Sequence, residues 1–141
     1  MKRHASAQWN GDLKTGKGTV STQSGVLSQT QYSFSTRFEN GNGTNPEELI
    51  AAAHAGCFTM ALSAQLGAAN LVADRLATTA TVTMEKLDAG WTVTSIHVDV
   101  KGNVPKADAA AWEKATMAAK TGCPISRLLN TTMTMEAKLE A

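Results

Sequence analysis

Two cysteines stand in a chain of 141 residues, and their neighbourhoods differ. Only a thiolate attacks an electrophile or binds a metal, so a working cysteine needs something positive nearby. Cys57 lies inside the apolar run Leu49–Ala69, with His54 one turn before it. Packing as a small hydrophobe accounts for a cysteine there, and burial raises its pKa. Cys123 stands in Thr121-Gly-Cys-Pro-Ile-Ser126, just ahead of a proline that opens a helix. Free N–H groups and the helix dipole favour a thiolate at such a place, so local physics nominates Cys123 as the nucleophile. Two cysteines are too few for a disulfide scaffold or a four-thiolate zinc site, which leaves inert packing, a metal corner or a redox pair. His54 and Cys57, at i and i+3, make one metal corner, but His4 and His97 fall in unrelated strands and no metal is expected. A cysteine hydrolase using His54 and Cys57 fails because no orienting carboxylate can be placed for the histidine. Arg37 is the arginine on the patterned face of a strand, where solvated sheet surface also explains it, whereas Arg3, Arg75 and Arg127 fall in surface or loop settings. Glu47 and Glu48 are explained equally well as first-turn helix residues.

The elements that must position these residues are readable. Ala5–Trp9, Gly18–Thr22 and Tyr32–Thr36 have strand character, and in the last Tyr32, Phe34 and Thr36 alternate with Ser33, Ser35 and Arg37. Glu39–Asn45 is a turn-rich loop of glycine and asparagine. Thr44 or Asn45 caps the next helix, Pro46 suits its first position, and Leu49–Ala69 continues it for about 20 residues and about 30 Å. Its interior is nearly free of charge on every side, which predicts burial on all sides, part of it by a second subunit. Thr78–Leu87 and Gly90–Val100 form a hairpin; a helix follows over Ala107–Thr121, opened by Asp108 and ended by Gly122. Cys123-Pro124 starts a short helix to Leu129, and Thr131–Leu139 is a closing strand. This order predicts an α+β fold with antiparallel sheet. The tryptophans Trp9, Trp91 and Trp112 and the six methionines are assigned to core or interface.

Thirteen basic against twelve acidic residues give a net charge of +1, which supplies no field to hold a nucleic acid or a membrane surface. No apolar run approaches the roughly 20 residues of a spanning helix, and the first residues do not read as a secretory leader. The expectation is a single domain over 1–141, with no internal boundary, in the cytoplasm.

Six segments, Trp9–Asp12, Gly16–Thr22, Ser35–Glu39, Gly43–Ile50, Ala52–Phe58 and Ala119–Ser126, together resemble the OsmC/Ohr family, and in particular its OsmC branch of osmotically inducible hydroperoxide reductases. Asn-Pro-Glu followed by Ala-Ala-His-Ala-x-Cys-Phe, with Gly-Cys-Pro far downstream, carries most of the specificity. Gly56 departs from the alanine of many relatives and should loosen the helix slightly. The resemblance implies antiparallel sheets wrapped around long central helices in an intertwined homodimer. It also implies a thiol-dependent peroxidase for organic hydroperoxides, and less efficiently hydrogen peroxide, in oxidative and osmotic stress. Cys57 matches the peroxidatic cysteine and Cys123 the resolving one, which overrules the local preference. Arg37 matches the arginine that stabilises thiolate and peroxide, and Glu47 the glutamate that orients it.

An apolar surround from Ile50, Phe58, Met60 and Leu62 fits an alkyl or lipid hydroperoxide. No cofactor is expected beyond an external thiol reductant: a lipoylated protein, thioredoxin and a small thiol are all open. Glu47 and Cys57 are ten positions apart, about 15 Å along one helix. That spacing predicts that each site takes its Arg37–Glu47 pair from the partner subunit. The competing class is a non-catalytic redox sensor or ligand-binding protein using the same cysteines.

Overall fold

The computed structural model describes residues 1–140, which gather into two compact units, one over Met1–Leu49 and one from Ile50 onward. In the first, β1 (Ala5–Asn10), β2 (Lys17–Thr22) and β3 (Thr30–Tyr32) form an antiparallel meander in that order. Gly18 of β2 lies opposite both Trp9 and Tyr32, and a Cβ there would collide with both rings. Its absence lets the rings approach to 5.4 Å between centroids, tilted by 53°.

The strand expected over Tyr32–Thr36 is corrected: β3 stops at Tyr32 and α1 (Phe34–Phe38) begins. Ser33 is its N-cap. The Ser33 hydroxyl accepts the Thr36 N–H at 3.3 Å, and the Thr36 hydroxyl accepts the Ser33 N–H at 2.8 Å. These reciprocal bonds give the backbone an alternative to the sheet ladder, and they place Arg37 on a helix rather than a strand face.

The long helix α2 (Pro46–Ala68) starts as expected. The Asn45 side chain accepts the Glu48 N–H at 2.8 Å and donates to the Thr36 carbonyl at 2.9 Å, Pro46 takes the first position, and Glu47 and Glu48 occupy the first turn. It ends on Asn70 at φ 57°, with Asn70 N–H bonded to Gly67 O and Leu71 N–H to Leu66 O, the Schellman arrangement. Burial on all sides is not what one chain achieves. His54, Phe58, Leu62 and Leu66 form a single buried stripe at four-residue spacing, while Ala52, Ala53, Gly56 and Met60 are exposed. The expectation that no run reaches spanning length is also corrected, since this 23-residue helix is long and apolar enough to cross a membrane by length and composition. A core helix of a soluble protein passes the same test.

In the second unit β4 (Arg75–Leu87) and β5 (Gly90–Asn103) make the expected hairpin, with an irregularity between Thr83 and Met84. Asp108 caps α3 (Ala109–Gly122) by accepting the Ala111 N–H at 2.7 Å, and α4 (Pro124–Leu128) follows directly. The closing strand β6 (Thr132–Glu140) joins β5 in parallel, which corrects the all-antiparallel expectation. The chain leaves β5, crosses through two helices and pairs with the side of β5 that β4 leaves open, the long crossover that a parallel pair requires. Ile96, Val98 and Val100 of β5 pack with Phe58, Leu62 and Leu66 of α2 and with Trp112, Ala115 and Ala119 of α3 in one core. Of the other residues assigned to core or interface, Met1, Met60, Trp91 and Met117 are exposed in the chain.

A Cβ on Gly56 would meet nothing within 4 Å. Gly56→Ala is therefore expected to stabilise the protein by about 0.5–1 kcal/mol through lower unfolded-state entropy and better helix propensity, read as a higher urea midpoint at unchanged slope.

Candidate active site

The core packing of α2 against α3 brings together two sulfurs that are 66 positions apart in the chain. Cys57 is half-buried in the middle of α2, and Cys123 is fully buried at the junction of α3 and α4. Cys123 ends one helix with its N–H bonded to the Ala119 carbonyl at 2.9 Å, and precedes Pro124 at the start of the next. Both cysteines are free thiols, and Cys57 Sγ and Cys123 Sγ lie 2.9 Å apart in a hydrogen bond.

The two thiols titrate as a pair. For Cys123 burial works against ionisation, but hydrogen bonds from the Cys57 thiol, from the N–H and hydroxyl of Ser126 and from the Ile125 N–H outweigh it and hold the thiol below its ordinary value. Burial pushes the Cys57 thiol up, and its hydrogen bond to Cys123 pushes it further, against a smaller opposing bond from the Ile125 N–H. Within one chain the balance of burial and hydrogen bonds thus favours ionisation at Cys123 over Cys57, the direction the local sequence reading proposed.

Arg37 and Glu47 meet within one chain. Arg37 Nε donates to both Glu47 carboxylate oxygens at 3.1 Å, and Nη2 donates to Oε1 at 2.7 Å. With side-chain exposures of 38% and 15%, this ion pair adds little to stability; its fork geometry fixes where the guanidinium points. The Arg37 guanidinium carbon also lies 5.4 Å from the centre of the Phe38 ring. Beside it opens a cavity of about 300 Å³ lined by Trp9, Leu13, Tyr32, Ser33, Phe34, Arg37, Phe38 and Pro46. Sequence reasoning missed this aromatic cavity; the one available signal was the clustering of aromatic residues on either side of Ser33.

The residues expected at the substrate differ in exposure within the second unit. Phe58 is completely enclosed in the core and acts there as a packing residue; Ile50 is half-buried against the same core and Met60 is exposed. His54, also buried, has its Nε2 2.8 Å from the Ser126 hydroxyl. Among the described residues no group of three or more histidine, cysteine, aspartate or glutamate side chains is placed to hold a metal ion.

The family model for OsmC-like proteins matches residues 39–138, a span that includes Glu47, both cysteines and Ser126. The chain belongs to the OsmC family. Over all 141 residues it is 48% identical to peroxiredoxin OsmC of Escherichia coli strain K12, of which it covers 99%, and it is equally similar to peroxiredoxin OsmC of Shigella flexneri. Solved structures share the fold. An OsmC-like protein of unknown function from Vibrio cholerae superposes with a TM-score of 0.80 at 17% identity, over 97% of this chain and 99% of that one. The organic hydroperoxide resistance protein OhrB of Bacillus subtilis does so with a TM-score of 0.68 at 24% identity, over 97% and 98% of the two chains. The OsmC fold thus accounts for the α+β architecture and the long helix α2 that carries Cys57.

Proposed function

We propose that this OsmC-family protein is a thiol-dependent peroxidase that reduces organic hydroperoxides, and less efficiently hydrogen peroxide, in defence against oxidative and osmotic stress. The observation that carries the reading is the 2.9 Å approach of Cys57 and Cys123. Two free thiols placed so close need almost no motion to become a disulfide. Full-length similarity to curated peroxiredoxins supports the same chemistry.

In the first step the Cys57 thiolate attacks the terminal oxygen of the hydroperoxide. The O–O bond breaks, the departing alkoxide takes a proton and leaves as an alcohol, and Cys57 becomes a sulfenic acid. The Cys123 thiolate then attacks the Cys57 sulfur, the S–O bond breaks, and hydroxide leaves with a proton as water. An external dithiol returns the disulfide to two thiols; a lipoylated protein, thioredoxin and a small thiol all have the required chemistry. The cycle uses no metal and no bound cofactor, and the protein is assigned to the cytoplasm.

Arg37 supplies the positive charge that Cys57 lacks, and its N–H groups stabilise the charge developing on the peroxide oxygens. Glu47 fixes the guanidinium through the bonds described above. Glu47 and Cys57 are about 15 Å apart along α2, which favours a site whose Arg37–Glu47 pair comes from a second subunit. The exposed face of Ala52, Ala53, Gly56 and Met60, on a helix whose charged residues are confined to the first turn, is consistent with a homodimer. The aromatic cavity beside Arg37 is the place for the alkyl or aryl group of the hydroperoxide.

A steady-state assay with cumene or tert-butyl hydroperoxide and a dithiol tests this reading. Continuous turnover is expected, with a lower KM for cumene hydroperoxide than for hydrogen peroxide. One stoichiometric oxidation without turnover would instead identify a redox sensor.

A further inference from the structure

The cavity beside Arg37 lies wholly within the first unit, and part of its wall is the turn between β1 and β2. Leu13, at the tip of that turn, lines the cavity while 67% of its surface stays exposed. A lone exposed leucine is ordinary, but the turn beneath this one is bonded on both sides of it. Asp12 Oδ1 accepts the Lys14 N–H at 2.9 Å and the Thr15 N–H at 3.0 Å, and Oδ2 accepts the Thr15 hydroxyl. The Gly16 N–H closes the turn on the Asp12 carbonyl at 2.9 Å. A short carboxylate that captures the N–H groups just after it fixes a turn in this way.

The same turn holds the neighbouring part of the wall. Trp9 Nε1 donates to the Gly11 carbonyl at 3.0 Å, and a Cβ on Gly16 would collide with the Asp12 and Asn10 carbonyls and press on that indole nitrogen. With its one donor spent on the turn, the indole offers the cavity an apolar ring, tilted against Tyr32. Phe34 and Phe38 continue the apolar lining, and Arg37 brings the charge.

A hydroperoxide has two ends that need different partners. The O–O end is common to every peroxide, so contacts with it favour all of them alike. Contacts with the carbon group are absent for hydrogen peroxide, and they alone discriminate. We infer that Leu13 is a specificity-determining residue, closing the apolar wall on the carbon group of the hydroperoxide, and that Asp12 positions it by fixing the turn. The inference rests on the assignment of this cavity to the substrate. A volume of about 300 Å³ is at the small end of ligand pockets and suits a compact aryl or branched alkyl group.

Binding can be read apart from chemistry in a Cys57→Ser background, with 2-phenylpropan-2-ol, the alcohol that cumene hydroperoxide leaves, as the probe. Broadening of its phenyl proton NMR lines gives a Kd with no peroxide present. Adding Leu13→Ala is expected to raise that Kd about tenfold: one methylene in a hydrophobic pocket is worth about 10–200-fold, and a wall partly open to solvent falls at the low end. Asp12→Ala should raise it several-fold, and Asp12→Asn, whose amide oxygen can accept the same two N–H groups, should return it close to the parent value. With both cysteines present, the ratio of kcat/KM for cumene hydroperoxide to that for hydrogen peroxide should fall about tenfold in Leu13→Ala, through KM rather than kcat. An unmoved ratio or Kd in Leu13→Ala, an Asp12→Asn protein as impaired as Asp12→Ala, or no broadening in the parent protein would overturn the proposal. Leu13→Ala removes exposed atoms and none of the turn's bonds, which keeps the test decisive where Asp12→Ala does not fold. If the wild type turns over neither peroxide, the peroxidase reading fails, while the probe titration still decides whether Leu13 and Asp12 shape the cavity.

Discussion

Cys57→Ser is expected to reduce hydroperoxide turnover to the uncatalysed background, whereas Cys123→Ser should oxidise once, rapidly, and then stop. A serine hydroxyl does not ionise near neutral pH, and a neighbouring Cys123 thiolate is too weak a base to ionise it, so position 57 supplies no nucleophile to the O–O bond. In Cys123→Ser the first step is intact but the sulfenic acid has no thiol within 2.9 Å, so it persists or goes on to the sulfinic acid. The two variants differ in what a single equivalent of cumene hydroperoxide leaves behind. Intact mass should show a disulfide in wild type, one or two added oxygens in Cys123→Ser, and an unmodified chain in Cys57→Ser. The comparison is demanding because the electrostatics within one chain favour the opposite assignment, with the first thiolate on Cys123. An oxidised Cys123 in Cys57→Ser, together with an inert Cys123→Ser, would exchange the two roles. Cys123 is fully buried while Cys57 is partly open, so access favours Cys57 even where ionisation does not.

What could be read from the sequence follows the range of the forces involved. Helix α2 was legible because its signals are local: Asn45 caps, Pro46 opens, two glutamates fill the first turn and alanines continue. The hairpin of β4 and β5 and the Asp108 cap of α3 are local in the same sense. Ser33 shows how a local signal misleads, since Tyr-Ser-Phe-Ser-Thr fits the period of a strand and the spacing of a capping box equally well. The hydrogen bonds of the box decide the matter, and no periodicity contains them. The parallel direction of β6 is set by the crossover through α3 and α4, which alternation within the strand cannot report. The helix-start setting of Cys123 was visible residue by residue. The nearness of Cys57 was not, because only the packing of α2 against α3 creates it. Phe58, expected beside the substrate, shows the same limit: an apolar neighbour in sequence points to the same place only if it shares a helix face, and Phe58 faces the core.

Arg37→Ala is expected to lower kcat/KM by about 10²–10³-fold, the usual consequence of removing one preorganised donor from a site where charge develops. The effect has two parts with different signatures. Loss of the cation leaves Cys57 with burial and its bond to Cys123, which push the thiol up against a smaller opposing bond from the Ile125 N–H, so the thiolate limb of the pH–rate profile should move to higher pH and activity should partly recover as pH rises. Loss of the donors to the peroxide oxygens does not recover at any pH. Arg37→Lys should restore the first part and little of the second, because an ammonium lacks the fork that Glu47 holds by Nε and Nη2. Glu47→Gln, which keeps one acceptor and loses the charge, should cost about tenfold, in the range of an orienting partner. Mixed dimers of Arg37→Ala chains with Cys57→Ser chains then decide where the pair acts. If the site is shared between subunits, each mixed dimer contains one complete site, made from the intact Cys57 of one chain and the intact Arg37 of the other, and two inactive proteins become active on exchange. If Arg37 serves the cysteine of its own chain, no arrangement of the mixture restores a site, and the activity stays at the sum of the two variants.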